Sequence, residues 1–200
     1  MNKDRHKYFM FRILSDIFKD DSLSRILAFK GGTSLMFFHS LPRFSVDLDF
    51  NILDVSQTEK VYDRVRRIAL KYGGIADEQM KHFGPIIVLN YGKGERNLKL
   101  EMSTRCYDNH YEIKNLGGTF VRVMAAPDMF AHKLCALLDR GGKGLPVVTF
   151  LICTSSYPRA STCTKELLSN VCRSLCFHRP KVSLVPDFNR DLILSGESSA

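Results

Sequence analysis

Lys30-Gly31-Gly32-Thr33-Ser34-Leu35 and, a short way on, Arg43-Phe44-Ser45-Val46-Asp47-Leu48-Asp49-Phe50 set the expectations for the rest of this chain. From Val46 to Phe50, apolar and acidic residues alternate. Successive side chains on a strand point to opposite faces, so Val46, Leu48 and Phe50 share one face and Asp47 and Asp49 the other. Two carboxylates on one face repel each other. A bound cation removes that repulsion, and an oxygen-only donor set favours Mg²⁺ or Mn²⁺. Taken alone, the Asp-Leu-Asp unit reads equally well as an edge strand with a solvated acidic face.

The preceding glycines weigh towards the cation. Residues 25–30 read as a buried strand, after which Gly31-Gly32 permits a tight turn and close backbone approach. Thr33 or Ser34 is placed to cap a helix over 33–40. A helix N-terminus offers N–H groups and partial positive charge, which suits phosphate. No Gly-Lys-Ser/Thr closes the loop, so it is not a P-loop. Arg43, just ahead of the acidic strand, offers a bidentate phosphate contact; by itself it reads as a solvated loop cation. Residues 97–102 alternate again, with Leu98, Leu100 and Met102 on one face and Glu101 on the other. Beside the Asp47 strand, Glu101 would complete an acidic triad able to hold two metals about 3.5–4 Å apart for in-line phosphoryl transfer. In isolation it is an exposed glutamate paired with Lys99.

Four motifs in this order, Gly-Gly-Thr-Ser-Leu, then Arg-x-Ser-x-Asp-x-Asp-Phe, then Lys-Leu-Glu-Met-Ser, then the segment Pro127 to Arg140, resemble the AbiEii/AbiGii-type toxin nucleotidyltransferases over about residues 20–140. The resemblance implies a polymerase-β-like nucleotidyltransferase fold and a type IV toxin–antitoxin or phage-defence setting. It places Gly31, Gly32, Thr33 and Ser34 at a triphosphate and Asp47 and Asp49 on metal, with Glu101 as the third acid. It also makes Lys133 the basic residue of the last motif, on a helix after Pro127-Asp128. Without the resemblance, Lys133 is a solvated helix lysine. The family transfers nucleotides to RNA, tRNA acceptor ends among them. The partners so implied are an NTP, an RNA acceptor and a cognate antitoxin protein.

Beyond residue 142 the pattern breaks. The Arg-Asp-x-x-Asp motif that the family carries on the next helix is missing, and four of the six cysteines (Cys153, Cys163, Cys172, Cys176) fall in the last quarter. A one-base frameshift accounts for this: Pro146 to Tyr157 can be encoded so that the reading frame one base earlier yields Arg-Asp-Leu-Phe-Asp. The expected organisation is therefore a nucleotidyltransferase domain over 1–142 and an atypical, poorly packed tail over 143–200. The cysteines lack the paired spacing of a zinc site.

The chain has 200 residues, enough for one domain with a modest core. No apolar run is long enough to span a membrane. The N-terminus leads into an amphipathic helix and not a signal peptide, so cytoplasm is the expected compartment. A net charge of +8 suits a polyanionic partner such as RNA. Arg64, Arg66, Arg67 and Lys71 on one predicted helix form either a basic face or an ordinary solvated surface.

Periodicity predicts helices over 4–19, 33–40, 57–72 and 127–139, and strands over 25–30, 46–52, 85–91, 97–103 and 119–124. The strands 85–91 and 97–103 would form a hairpin around Gly92-Lys93-Gly94. Residues 75–83 read either way. The expected fold is α/β (α+β): a nucleotidyltransferase-like mixed sheet with helices mainly on one face. The expected activity is metal-dependent transfer of a nucleoside monophosphate from an NTP to RNA. The alternatives are a small-molecule nucleotidyltransferase, or an inactive remnant that binds NTP or antitoxin without turnover.

Overall fold

The computed structural model describes residues 2–105 and 107–139. The expected tail over 143–200 and its proposed frameshift lie outside these. The described elements are α1 (Lys3–Lys19), α2 (Asp21–Ile26), β1 (Leu27–Lys30), α3 (Gly31–Phe38), β2 (Leu48–Ile52), a 3₁₀ turn at Val55–Gln57, α4 (Thr58–Ala69), β3 (Gly74–Lys81), β4 (Gly84–Asn90), β5 (Leu98–Ser103), β6 (Tyr111–Leu116), β7 (Thr119–Met124) and α5 (Ala126–Asp139).

The apolar spacing of α1 buries Met10, Ile13, Leu14 and Ile17 completely, and Asn2 caps the helix by accepting from the Arg5 N–H. Residues 25–30 are shorter as a strand than expected. Asp20 caps the N–H groups of Ser22 and Leu23 and so starts α2, which carries through Arg25 and Ile26 before β1 begins. The ambiguous segment 75–83 becomes most of β3, a long edge strand paired with β4. β6, not expected from sequence, pairs with β7 through a turn at Gly117-Gly118, both with positive φ.

All seven strands form one sheet in the order β3-β4-β5-β2-β1-β7-β6. β2 runs parallel to β5, and β1 parallel to β7. β1 and β2 are antiparallel, as are β3–β4, β4–β5 and β6–β7. The expected β4–β5 hairpin is present. On one face Leu27, Phe29, Leu48, Phe50, Leu98, Leu100, Met102, Ile87, Leu89, Val121 and Val123 meet the buried rows of α1 and of α4 (Val61, Val65, Ile68). At about 25 cal/mol per Å² of apolar surface, this layer is the main source of stability. The opposite side of the central strands carries a different set: Lys30 from β1, Asp49 and Asn51 from β2, Lys99, Glu101 and Ser103 from β5. The α/β expectation, with a mixed sheet and helices gathered on one face, holds.

Candidate active site

Strand register brings the predicted acids together. Asp49 on β2 stands opposite Lys30 on β1 and opposite Glu101 on β5, so these three lie in one row across the centre of the sheet. Asp47 sits just before β2 rather than within it, because the strand begins at Leu48. It still borders the row: the Lys99 ammonium is 2.8 Å from Glu101 Oε2 and 4.0 Å from Asp47 Oδ2. Among the described residues, no group of three or more Asp, Glu, His or Cys side chains is placed to hold a metal ion, so the expected triad of Asp47, Asp49 and Glu101 is not assembled as one ligand set. Instead the carboxylates are interleaved with lysines.

The glycine pair is required by contact. Gly31 has φ +83°, and a Cβ there would lie 2.2 Å from Asp49 Oδ2. On Gly32 a Cβ would lie 2.7 Å from Ser45 Oγ and 3.8 Å from Arg43 Nη2. Arg43 and Ser45 therefore stand at the first turn of α3, with the Asp49 carboxylate against the backbone of Gly31. Thr33 and Ser34 do not cap the helix. α3 starts at Gly31, with Lys30 as its N-cap and no side-chain capping bond. Thr33 and Ser34 lie inside its first turns, fully buried. The Thr33 hydroxyl donates to the Asp47 carbonyl and ties the helix to the acid loop. Its first N–H groups are thus left to a ligand or water.

A second tie comes from α1. His6, fully buried, bonds the Val46 carbonyl through Nε2 (2.9 Å) and the Tyr91 hydroxyl through Nδ1. Tyr91 thereby steadies the imidazole that holds the carbonyl of Val46, the residue before Asp47.

Burial, and then the like charge of Glu101, push the Asp49 carboxyl above the usual carboxylate range; Lys133 and Lys99 oppose the shift. The charge of Lys133 on α5 is thus felt at Asp49. Burial likewise pulls the Lys30 ammonium below its usual range, with Asp49 and Glu101 opposing and Arg105 and Lys133 adding to the effect. For Glu101 burial raises the carboxyl, but the hydrogen bond and charge of Lys99, with Lys30 and Lys81, hold it below the usual range. Crowded acids of oxygen-only chemistry, one of them made more basic by burial and a like neighbour, suit a hard divalent cation. Asp47 and Asp49, with Glu101 beside them, are the residues that would hold it.

Sequence reasoning missed Lys30 as part of the site; it expected the pairing of Lys99 with Glu101, which is present, but not the approach of Lys99 to Asp47. A signal existed for both: Lys30 directly precedes the glycines, and Lys99 shares the polar face of its strand with Glu101. The two readings left open for α4, a basic face or an ordinary solvated surface, are narrowed by ion pairs. Arg64 pairs with Asp20 at 2.7 Å and Arg66 with Glu78 at 2.8 Å, so half of the candidate basic face is engaged in ion pairs within the molecule.

The family described as nucleotidyl transferase AbiEii toxin, type IV TA system, matches residues 9–144. The chain belongs to this family. Its match runs from within α1 past α5 and includes Lys30 to Ser34, Arg43, Asp47, Asp49, Lys99, Glu101 and Lys133, but not His6. No curated protein matches the chain significantly. Among solved structures, an antigenic nucleotidyltransferase-like protein from Paracoccidioides brasiliensis superposes with a TM-score of 0.55 at 14% identity, over 82% of this chain and 88% of that one. The antibiotic-resistance factor ANT(2'')-Ia gives 0.55 at 12% identity, over 85% and 94%. JHP933 from Helicobacter pylori is 24% identical, with a TM-score of 0.47 over 67% of this chain and 56% of that one. The AbiEii chain thus spans a little over half the length of the Helicobacter protein. The structural likenesses to the first two give a shared nucleotidyltransferase fold.

Proposed function

We propose that this AbiEii chain is a metal-dependent nucleotidyltransferase that moves a nucleoside monophosphate from an NTP to RNA, tRNA foremost, and releases pyrophosphate. The observation that carries the reading is the row Lys30–Asp49–Glu101 set against the uncapped start of α3. The helix N-terminus binds the triphosphate through N–H groups at Gly31 and Gly32. Arg43 adds a planar guanidinium at the same turn, and Lys133 approaches from α5. Thr33 and Ser34 support this end from within: Thr33 holds the acid loop, and the Ser34 hydroxyl is buried without a protein partner.

Asp47 and Asp49 would hold Mg²⁺ or Mn²⁺ with help from Glu101; the ion supplies charge neutralisation at the triphosphate and lowers the proton affinity of the acceptor hydroxyl. The acceptor oxygen forms a bond to the α-phosphorus. The bond from that phosphorus to the bridging oxygen of the β-phosphate breaks, pyrophosphate leaves, and the hydroxyl proton passes to solvent. Lys30, Lys99 and Lys133 spread positive charge along the path on which negative charge builds up. The family's type IV toxin–antitoxin setting supports a cognate antitoxin protein as partner. Among the described residues, no helix is long and apolar enough to cross a membrane.

The test is transfer of label from each of four α-labelled NTPs into total tRNA with Mg²⁺, with an aminoglycoside as a parallel acceptor. Label in RNA, lost by at least about 10²-fold in Asp49→Ala, is the expected result. Label in the aminoglycoside alone would replace the RNA reading with a small-molecule one. NTP binding without product would favour a remnant.

A further inference from the structure

At the far end of β5 from Lys99, the turn between β3 and β4 carries Lys81, His82 and Phe83, all exposed. Phe83 keeps 48% of its surface in solvent and the nearby Met80 57%. The Arg105 guanidinium lies 4.0 Å over the Phe83 ring, and His82 meets the ring edge-on at 4.6 Å. The cluster is held in place. The Thr104 N–H donates to the Phe83 carbonyl at 2.9 Å. Gly84, at φ +111°, is pressed so close to β5 that a Cβ would sit 2.0 Å from the Met102 carbonyl oxygen. The turn is thus fastened beside the catalytic strand.

Its charge reaches the site. Lys81 helps hold the Glu101 carboxyl low, and Arg105 acts on Lys30. Three residues lie between Glu101 and Arg105, so the two are at most about 13 Å of chain apart, the reach of one or two nucleotides. Position then assigns the ligand. In an in-line displacement the attacking oxygen and the leaving pyrophosphate lie on opposite sides of the phosphorus. The start of α3, with Gly31, Gly32 and Arg43, adjoins Asp47 and the Lys99 end of β5. The Phe83–Arg105 cluster lies at the other end, beyond Glu101, on the acceptor's side.

We infer that Phe83 and Arg105, with Lys81 and His82, form a stacking platform for the terminal bases of a single-stranded RNA acceptor. An aromatic ring and a guanidinium plane stack on any base, and the Lys81 ammonium meets a backbone phosphate. The platform explains how an acceptor end is admitted without base-edge readout. The inference rests on the transferase reading for its orientation, and on the cluster for its existence.

The test uses the full chain and a fluorescein-labelled single-stranded octaribonucleotide, read by anisotropy in Mg²⁺, alongside NTP binding by equilibrium dialysis. Phe83→Ala and Arg105→Ala should each weaken octamer binding about five- to tenfold or more, as expected for loss of one stacking partner. Phe83→Ala, which removes no charge, should leave NTP affinity within about twofold of the parent. Phe83→Trp should restore octamer binding, which a merely structural role would not require, and thermal midpoints of the exposed-site variants should match the parent. Octamer affinity unchanged in both alanine variants, or no octamer binding by the parent chain, overturns the inference. Equal losses for octamer and NTP in Phe83→Ala also overturn it, by moving the cluster to the incoming nucleotide. A parent chain that binds the octamer through this cluster but transfers no label from any NTP refutes the transferase reading and leaves the platform standing.

Discussion

Gly31 does two things that only glycine can. It takes φ +83°, and it lets the Asp49 carboxylate sit where a Cβ would be. Gly31→Ala is expected to cost at least about 1–2 kcal/mol from the left-handed backbone alone. Asp49 must also shift, so NTP binding should fall further than stability; urea unfolding and equilibrium dialysis measure the two. His132 offers a pH handle at the same scale. Burial, and then the charge of Lys30, bring its imidazole from the usual 6.5 down to about 4, against the pull of Asp128. The folded state therefore keeps His132 neutral where the unfolded chain takes up a proton. Its contribution is present above pH 6.5 and lost as pH falls from 6.5 towards 4. Urea midpoints between pH 7 and 4 should drop less steeply in His132→Gln than in the parent. An equal slope in both would remove His132 as the cause.

At the scale of elements, short connections hold the site in place. Asp20 closes α1, caps α2 through Ser22 and Leu23, and pairs with Arg64 of α4 at 2.7 Å. Burial raises its carboxyl, but the Leu23 N–H and Arg64 outweigh this and leave it below the usual range. Asp20→Ala should destabilise the chain by about 1–3 kcal/mol, most of it from the lost cap. Because the folded carboxyl is the stronger acid, this contribution is present at neutral pH. It vanishes as pH falls through and below the ordinary Asp range, so parent and variant should converge in acid. Equal unfolding free energies at pH 7 would show that the cap is replaceable. The ties from His6 to Val46 and from Thr33 to Asp47 act likewise on the loop before β2, joining the helical layer to the acids.

Across the whole molecule, one sheet separates two kinds of chemistry. Its covered face is apolar and packs on α1 and α4. Its other face carries alternating acids and lysines, flanked by the start of α3 on one side and the Phe83 turn on the other. A net charge of +8 adds a field that favours polyanions. Octaribonucleotide affinity should therefore fall steeply between 50 and 200 mM salt, with log Kd linear in log salt at a slope of about 0.7 per phosphate neutralised. Because the platform stacks bases as well, Phe83→Ala should lower affinity at every salt concentration without changing that slope, whereas Lys81→Ala should reduce it. A slope near zero in the parent would exclude phosphate contacts.

The alternation at 46–50 and 97–102, the glycine pair and the amphipathic α1 were local patterns. Periods of 2.0 and 3.6 are properties of neighbouring residues, so the sequence by itself determined α1, α4, the central strands β2, β4, β5 and β7, the acid-bearing face and the place of the glycine turn at 31, though not α2, β3 or β6. It did not determine who stands beside whom. Lys30 faces Asp49, and Lys99 comes within 4.0 Å of Asp47, through strand register. Arg64 and Arg66 left the basic surface through ion pairs with Asp20 and Glu78. Thr33 gave up capping for the Asp47 carbonyl, because α3 began two residues earlier than its side chain suggested. β6 gave little sign of itself because an edge strand with charged and apolar residues on its open side has weak alternation. Tertiary structure decided these points because each depends on distances between residues far apart in sequence. Those distances follow from how the sheet closes, and no local period encodes them.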